Sequence, residues 1–378
     1  MYNRIASLAL AVLLLSGCGA KSNAIKPEPL TSFEYKARIE KIWSRDFGSI
    51  DIKRSARLSP YIKNTSLFVA DSKGKVSAYH AENGKKIWRM HIKQAISGAI
   101  GVGDGNVYVG TRKGDLVALD AETGKLRWQQ QVGSEMLSPA VSDTGIVVVQ
   151  SSDGKILGLS AEDGKQLWTV QRNEPSLTLR GTSTPIIFQG IAITGFANGS
   201  IIAIRVADGQ ELWEIPIAYP KGKNEIERLV DIDAQVAIAG DLLFAASYQG
   251  KLVAINIRNG RKEWSKDFST YSGMDLDDRN IYLTDEEGNV VAFDQRTGAS
   301  LWKQDKLKGR RLSPPASLSS YLAVGDLEGY VHILSKDDGS QVSRYRLGSD
   351  PINVKPIVWA GTLYVSNLDG DLAALRIQ

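Results

Sequence analysis

The side chains that most often carry out chemistry are scarce in this sequence. Its 378 residues include 1 Cys and 3 His. A single cysteine can form neither a disulfide within the chain nor a cysteine-rich metal site, and three histidines are few for a zinc or copper site. His80 lies at a loop position of the repeat, His91 follows a tail and His332 lies in a predicted strand, which favours surface or packing roles over metal binding or acid–base catalysis.

One acidic stretch begins like a calcium-binding loop. Asp275 and Asp277 are followed by Glu286, eleven residues after Asp275. However, Arg279 occupies a position where a ligand is needed, and no glycine stands at the sixth position. We therefore interpret the stretch as a hairpin turn and expect no metal or cofactor site. The sequence also shows no glycine-rich phosphate loop and no nucleophile elbow, so a catalytic function is disfavoured.

The charge balance argues against a nucleic-acid partner. Lys and Arg number 46 against 42 Asp and Glu, which gives a formal charge of +4. Nucleic-acid binding requires clustered basic residues, and so small an excess does not predict them. With 43% hydrophobic and 23% charged residues, the chain has the composition of a folded globular protein.

Residues 1–17 have the pattern of a secretory signal peptide. An apolar run, Ile5–Leu15, follows Arg4 and is too short to span a bilayer. The run ends in Leu15-Ser16-Gly17-Cys18, which resembles the bacterial lipoprotein signal. That resemblance implies that Cys18 is lipidated and becomes the new N-terminus, and that Gly19, in place of Asp, directs the chain to the outer membrane. The alternative is a plain signal peptide followed by an unpaired cysteine.

Residues 18–35 are predicted to form a flexible tether between the lipid and a folded body. The stretch after Cys18, GAKSNAIKPEPLT, is mostly polar and holds two prolines. Several acyl chains on one residue give firm membrane binding, whereas a single chain gives only marginal binding. We therefore expect a chain anchored by lipid at the periplasmic face of the outer membrane.

Beyond the tether, the chain repeats one unit of about forty residues. Each unit has a central glycine, and a tryptophan follows fourteen residues later in six of the seven complete units. The eight central glycines are Gly74, Gly114, Gly154, Gly199, Gly250, Gly288, Gly329 and Gly370. The residues fourteen positions after the first seven are Trp88, Trp128, Trp168, Trp213, Trp264, Trp302 and Ser343.

Each repeat predicts four β-strands. Leu116 and Ala118 alternate with Val117 and Leu119, and this period of two in a run rich in Val, Ile and Leu is typical of a strand. The segment Asp120–Gly124 is a short hairpin loop with glycine where the backbone needs a positive φ. Four strands in about forty residues indicate a propeller blade. We therefore predict an all-β fold, an eight-bladed β-propeller over residues 36–378.

The ends of the chain predict how the ring closes. Only seven of the eight central glycines are followed by a complete tail, and Lys41-Ile42-Trp43 has the pattern of the missing one. We expect this N-terminal strand to pair with the C-terminal sheet, Leu363–Ser366 and Leu372–Leu375. Closure of this kind removes two open sheet edges that would otherwise attract other chains.

The repeated tryptophans are interpreted as structural, because each stands at a fixed place on the outermost strand, where it can wedge between blades. The tail from Ala121 to Trp128 resembles the tryptophan-docking repeat of quinoprotein dehydrogenases. Those eight-bladed propellers bind pyrroloquinoline quinone and calcium, and their pattern includes a disulfide between adjacent cysteines near the cofactor. This sequence has no such cysteines and no inserted catalytic loops. A quinoprotein-like dehydrogenase is therefore disfavoured and kept only as an alternative.

Two connections between blades are longer than the architecture requires. In five connections, 24 to 27 residues separate the tail position, Trp or Ser343, from the next central glycine, but the separation is 31 from Trp168 to Gly199 and 37 from Trp213 to Gly250. Both excesses fall between the outer strand of one blade and the inner strand of the next, on one face of the disc. They also follow consecutive blades, so we expect the two loops to be neighbours. Loops that exceed structural need commonly carry function. Residues 44–73 form a third long connection, to which no role is assigned.

The two loops contain the candidate binding residues. Leu177, Leu179 and Arg180 lie in the first, and Asp231 and Asp233 lie in the second. Exposed leucines beside an arginine, with carboxylates close by, are typical of a protein-binding hot spot. Arg180 can alternatively pair with Asp231 or Asp233 to hold the loops together, and both roles are compatible.

The lipoprotein signal, the tether and the eight blades together resemble the BamB family, the lipoprotein propellers of the outer-membrane β-barrel assembly (Bam) complex. The resemblance covers essentially the whole chain. It implies a non-catalytic scaffold that docks on the periplasmic POTRA region of the central barrel subunit, through the five candidate residues, and assists insertion of outer-membrane proteins. Exposed strand edges between blades add the hypothesis that nascent outer-membrane β-barrel proteins are bound directly. A different periplasmic propeller adaptor is a further alternative.

Overall fold

The chain folds into a ring of eight four-stranded antiparallel sheets. The structure is a computed structural model that describes residues 26–51, 57–173, 175, 183–219, 223, 230, 232, 236–270 and 272–378. Each sheet is one blade, so the predicted eight-bladed β-propeller is confirmed. The described residues form strands, turns and irregular segments without a helix, and hence without one that could cross a membrane.

In blades 1 to 7 the strands follow chain order from the central channel to the rim. Blades 1 to 4 contain β2 (Tyr61–Lys63), β3 (Ser66–Ala70), β4 (Lys75–His80), β5 (Lys86–His91), β6 (Gly101–Gly103), β7 (Asn106–Gly110), β8 (Asp115–Asp120), β9 (Leu126–Gln131), β10 (Val141–Asp143), β11 (Ile146–Gln150), β12 (Lys155–Ser160), β13 (Gln166–Gln171), β14 (Ile186–Phe188), β15 (Ile191–Gly195), β16 (Ser200–Arg205) and β17 (Glu211–Pro216). Blades 5 to 7 contain β18 (Ala237–Ala239), β19 (Leu242–Ala246), β20 (Lys251–Asn256), β21 (Lys262–Asp267), β22 (Met274–Leu276), β23 (Asn280–Thr284), β24 (Val290–Asp294), β25 (Ser300–Gln304), β26 (Ala316–Leu318), β27 (Tyr321–Gly325), β28 (Tyr330–Ser335) and β29 (Gln341–Arg346).

Blade 8 joins the two ends of the chain. It consists of β30 (Ile357–Trp359), β31 (Thr362–Ser366), β32 (Asp371–Ile377) and, at the rim, β1 (Ile39–Asp46). β1 pairs antiparallel with β32, so that Trp43 stands opposite Ala374 and Arg45 opposite Leu372. The predicted closure is therefore confirmed, and it covers the outer edge that β32 would otherwise expose.

The middle strands bury both of their faces between neighbouring blades. In β8, Leu116 and Ala118 pack in a cluster with blade 3, whereas Val117 and Leu119 pack in a cluster with blade 1. The predicted alternation is therefore real, but it separates two apolar faces rather than an apolar face from a polar one. The ring has a core between every pair of blades instead of one central core.

The tryptophans of the repeat dock on the next blade. The indole N–H of Trp128 donates to the carbonyl of Ala161 at 3.0 Å, and its ring covers Gly164. A Cβ at residue 164 would lie 2.6 Å from the ring, and the φ of 76° also requires glycine there. The structure thus confirms the wedge interpretation. The same pairing joins Trp43–Gly84, Trp88–Gly124, Trp128–Gly164, Trp168–Gly209, Trp213–Gly260, Trp264–Gly298 and Trp302–Gly339.

The interface between blades 7 and 8 has a different construction. Ser343 stands at the tryptophan position and is buried. Blade 8 has no hairpin to receive an indole, because its outer strand β1 comes from the other end of the chain. Ala37, which lies just before β1, is buried in the cluster at this interface.

The disc has two distinct faces. One face carries the links between blades and the turns at the central glycines, and we call it the connection face. The amide of Val132, just after β9, donates to the carbonyl of Gly114 at 2.8 Å, so links and central turns lie together. The opposite face carries the remaining hairpin turns, such as Asp120–Gly124, and we call it the turn face.

Candidate docking face

The two long connections leave the connection face on either side of blade 4. The first runs from the end of β13 at Gln171 to the start of β14 at Ile186, and the second from the end of β17 at Pro216 to the start of β18 at Ala237. The structure therefore confirms that both excesses lie between an outer strand and the next inner strand, and that they flank one blade.

The predicted binding residues lie outside the described residues. This applies to Leu177, Leu179, Arg180, Asp231 and Asp233. Their role in partner binding, and the alternative pairing of the arginine with either carboxylate, remain predictions. Cys18, the predicted lipidation site, also lies outside the described residues.

Two residues of the second connection are seated on blade 4. Val230 and Ile232, which bracket position 231 in sequence, are both buried. A Cβ at Gly195, the last residue of β15, would lie 2.5 Å from Ile232 Cγ2, and one at Gly199 would lie 3.1 Å from Val230 Cγ2. Glycines at the end of β15 and in the following turn therefore make room for this connection, which is held firmly at two points.

The first connection begins with an ion pair to blade 4. The guanidinium of Arg172, the first residue after β13, contacts Glu211 and lies 3.7 Å from Glu214 on β17. This side chain is three-quarters buried, so the contact is better shielded from water than an ordinary surface pair. It ties the rim of blade 3 to blade 4 beside the first long loop.

An exposed aromatic residue marks the start of the second connection. Tyr219 is 63% exposed, the largest fraction among the exposed large hydrophobic side chains described. Tyrosine is enriched at protein–protein interfaces, since it offers a large apolar surface and a polar tip. Sequence reasoning missed Tyr219, although its place three residues after a strand, at the beginning of the longest connection, was a usable signal.

A cleft separates the innermost strands of blades 4 and 5. The innermost strands of all other neighbouring blades pack together, whereas β14 and β18 lie further apart. The cleft has a volume of about 600 Å³ and is lined by apolar residues that include Ile186, Phe188, Val236 and Ile238. Because β14 and β18 are the strands that follow the two long connections, the cleft lies beside the described ends of both connections.

The central channel is a second cavity, of about 1070 Å³. Lys355 of blade 8 reaches blade 6, where its Nζ lies 2.8 Å from Asp275 Oδ1 and 3.2 Å from the carbonyl of Met274. Arg57 likewise donates to the carbonyl of Ser272 at 2.8 Å. Asp275 is the one carboxylate among the described residues that line the channel, and it is already paired.

The acidic stretch that begins like a calcium loop forms a turn, as predicted. Asp277 Oδ1 accepts hydrogen bonds from the amides of Arg279 and Asn280 at 3.0 and 2.9 Å, and its Oδ2 accepts one from the Tyr282 hydroxyl at 2.7 Å. Burial raises the pKa of Asp277, but these hydrogen bonds outweigh it and leave the pKa below its usual value. Across the described part of the chain, no three potential metal ligands converge.

Known proteins match this chain along its full length. The family model for outer membrane protein assembly factor BamB matches residues 72–304 and 286–378. The BamB of Pseudomonas aeruginosa is 44% identical over 378 residues, covering 100% of this chain and 99% of that protein. The crystal structure of BamB from Moraxella catarrhalis superposes with a TM-score of 0.82 at 28% identity, covering 90% of this chain and 100% of that one.

Quinoprotein enzymes share the fold alone. Quinohemoprotein alcohol dehydrogenase from Comamonas testosteroni superposes with a TM-score of 0.71 at 14% identity, covering 89% of this chain and 76% of that chain. The architecture is therefore common to cofactor enzymes and to BamB, and the residues of the site must decide between them.

Fold and site define this chain as an eight-bladed tryptophan-docking propeller. Its distinctive feature is a pair of long connections that flank blade 4 on the connection face. The chain belongs to the BamB family of outer membrane protein assembly factors.

Proposed function

We propose that the chain is a non-catalytic scaffold lipoprotein of the outer-membrane β-barrel assembly machinery. It docks on the periplasmic POTRA region of the central barrel subunit and assists insertion of outer-membrane proteins. Lipid on Cys18 holds it to the outer membrane at the periplasmic face. The observation that carries the docking proposal is that the two enlarged connections flank a single blade on one face.

The described residues around blade 4 support docking at this place. Val230 and Ile232 fix the second connection to the blade before any partner binds. Binding therefore loses less conformational entropy than it would with a free loop. Tyr219 offers exposed aromatic surface, and the Arg172 ion pair holds blade 3 against blade 4. A preorganised, partly apolar surface with charged residues at its edge is typical of an interface whose few central residues supply most of the binding energy.

A pull-down from detergent-solubilised envelopes tests the docking site. The unaltered chain should recover the central barrel subunit, and Leu179→Ala with Arg180→Ala should lose most of that recovery while the thermal midpoint stays unchanged. Removing a hot-spot pair costs roughly 2–4 kcal/mol, which is a loss of about 30-fold or more in affinity.

The matched control is a leucine–arginine pair on the rim of blade 2. Leu126 is 52% exposed and Arg127 pairs with Asp120 at the surface. Leu126→Ala with Arg127→Ala removes the same side chains away from blade 4 and should leave recovery intact. Full recovery with the Leu179/Arg180 variant would place the docking site elsewhere.

The cleft between β14 and β18 favours a second role, direct binding of nascent outer-membrane β-barrel proteins. No described strand pairs with the inner edge of either β14 or β18, and apolar side chains line the space between them. An extended apolar segment fits such a site by adding backbone hydrogen bonds to side-chain burial. A photo-crosslinking residue at Ile238 should trap unfolded barrel precursor, whereas the same residue at Ser317, the equivalent position of β26, should not. Absence of any precursor adduct at residue 238 would dismiss this role.

A further inference from the structure

A buried arginine receives the N-terminal segment on the connection face. Arg310 is only 2% exposed, yet it lies in the link between blades 6 and 7, where the sequence Lys-Gly-Arg-Arg suggests a solvated loop. Its Nε donates to Asp326 Oδ2 at 2.7 Å, and its guanidinium also pairs with Glu328. Its Nη1 donates to the backbone carbonyl of Glu28 at 2.9 Å. A buried guanidinium is tolerated only when its donors are satisfied, and Glu28 satisfies one of them.

The segment before β1 runs along the rim of the disc. We call residues 28–36 the strap. At its end on the turn face, the amide of Lys36 donates to the carbonyl of Val342 at 2.9 Å. In its middle, the ring of Phe33 lies 5.5 Å from the guanidinium carbon of Arg344. At its other end, the amide of Glu28 donates to the carbonyl of Lys308 at 2.9 Å, on the connection face. The strap therefore crosses the whole height of blade 7.

The strap leads into the interface of blades 7 and 8, the one interface among the eight that has no docking tryptophan. Ser343 leaves that interface without an indole, and Ala37, which continues the strap, is buried there. Blade 7 also supplies Arg344 to stack on Phe33 and Val342 to accept the Lys36 amide. The contacts at one end and in the middle come from β29, and those at the other end come from the link between blades 6 and 7. Two elements of the propeller therefore define the path of the strap.

We propose that the strap makes the connection face the membrane-facing side of the protein. If the chain were free before β1, it would leave the disc on the turn face. Held by Arg310, it leaves on the connection face instead, about 25 Å away across the rim. Only about ten residues then separate Glu28 from Cys18, a reach of at most about 35 Å, whereas release at Lys36 would extend the reach to about 60 Å. This inference rests on the lipid anchor of the proposed function.

Fluorescence quenching on vesicles tests the orientation. The lipidated full chain is bound to vesicles of phosphatidylethanolamine and phosphatidylglycerol that carry a headgroup quencher. A dye is attached to one cysteine introduced either at exposed Lys306, on the connection face, or at exposed Asp337, on the turn face. We expect the dye at residue 306 to be quenched at least threefold more strongly. Equal quenching at the two sites would overturn the proposal.

Strap variants test the cause of that orientation. Glu28→Pro with Phe33→Ala removes an amide donor and an aromatic contact without altering the propeller, and it should reduce the difference in quenching to less than 1.5-fold. Arg310→Met should act in the same direction, whereas the matched Arg311→Met, at an exposed neighbour, should change nothing. A difference that persists in the released strap would overturn the proposal.

Limited trypsin digestion separates the strap from the lipid. Cleavage after Lys36 should be about tenfold faster in Glu28→Pro with Phe33→Ala than in the unaltered chain, because local release exposes the bond before buried Ala37. Equal rates would show that the strap is not docked and would overturn the proposal even if the lipid anchor is correct. If the unaltered chain is cleaved slowly but does not bind to vesicles, the strap is docked and the lipid anchor is contradicted. The proposed orientation then fails together with the anchor.

Discussion

At the scale of single residues, the docking tryptophans join two functions in one side chain. Each fills the gap between two blades and donates its indole N–H to a turn carbonyl on the next blade, as Trp128 does to Ala161. A buried aromatic contributes through its large apolar surface, and the hydrogen bond satisfies its one polar group. The interfaces between blades therefore depend on individual indoles rather than on many small contacts.

Trp128→Ala should destabilise the fold by roughly 3–5 kcal/mol, since it leaves a large cavity at the interface of blades 2 and 3. Urea denaturation followed by circular dichroism measures the change in the free energy of unfolding. Leu126→Ala on the same strand is the control, because Leu126 is 52% exposed and should cost no more than about 0.5 kcal/mol. Similar losses for the two variants would contradict the docking role.

The buried pair of His332 and Asp326 makes stability depend on pH. His332 Nε2 lies 2.9 Å from Asp326 Oδ2, and both side chains are fully buried. Burial lowers the pKa of His332 despite the neighbouring carboxylate. Burial also acts to raise the pKa of Asp326, but hydrogen bonds from His332, Tyr330 and Arg310 outweigh it and lower that pKa. The native pair is thus a neutral imidazole and a carboxylate.

Stability should therefore fall as the pH decreases from about 6.5, because the unfolded chain then protonates His332 while the native state does not. The slope due to this residue is at most about 1.4 kcal/mol per pH unit. Urea midpoints between pH 7 and 5 should fall less steeply for His332→Gln than for the unaltered chain. His80→Gln, at an exposed position, is the control and should keep the original slope. An unchanged slope in His332→Gln would contradict this assignment.

At the scale of elements, the links between blades are positioned by the strand ends they cover. Ile232 in the link to blade 5 and Ile352 in the link to blade 8 pack in the same way on Gly195 and Gly325, the last residues of β15 and β27. The first of these links carries two candidate binding residues, whereas the second lies on the other side of the ring. Substitutions at Gly195 and Gly325 therefore distinguish the displacement of the second long connection from a general loss of stability.

Gly195→Ala should reduce recovery of the barrel subunit, because its Cβ would lie 2.5 Å from Ile232 Cγ2 and displace the second connection. Overpacking of this kind costs roughly 1–3 kcal/mol. Gly325→Ala makes the equivalent contact with Ile352 and should cost a similar amount of stability with recovery unchanged. Pull-down and thermal midpoint measured on both variants give the comparison, and equal recovery from the two would argue against docking beside blade 4.

At the scale of the whole molecule, the same ring serves cofactor enzymes and assembly factors. Quinohemoprotein alcohol dehydrogenase from Comamonas testosteroni shares this architecture at 14% identity, and a calcium site requires several oxygen ligands that converge. Among the described residues that line the channel of this chain, Asp275 is the one carboxylate, and it forms an ion pair with Lys355. The ring by itself therefore does not specify an activity.

Addition of pyrroloquinoline quinone and calcium should leave the thermal midpoint within about 1 °C, since a ligand stabilises a protein only if it binds the native state. Differential scanning fluorimetry measures the midpoint, and the absorption spectrum of the quinone reports binding independently. A quinoprotein dehydrogenase stripped of its cofactor is the positive control. A raised midpoint together with alcohol oxidation would restore the enzyme alternative.

The sequence alone determined the number of blades, their strands and the closure of the ring. It did so because local alternation, turn glycines and the fixed distance of fourteen residues to Trp128 and its equivalents are properties of neighbouring residues, repeated along the chain. It also located the two long connections, since an excess of length can be counted.

The tertiary structure decided which residues of those connections are buried and that Tyr219 is exposed. It also decided that β14 and β18 lie further apart than the other innermost strands. It also decided that the Arg310 side chain is buried and donates a hydrogen bond to the carbonyl of Glu28, rather than lying in solvent. These features depend on contacts between residues far apart in sequence, and Arg310 and Glu28 meet only because closing the ring brings the N-terminal segment across blade 7.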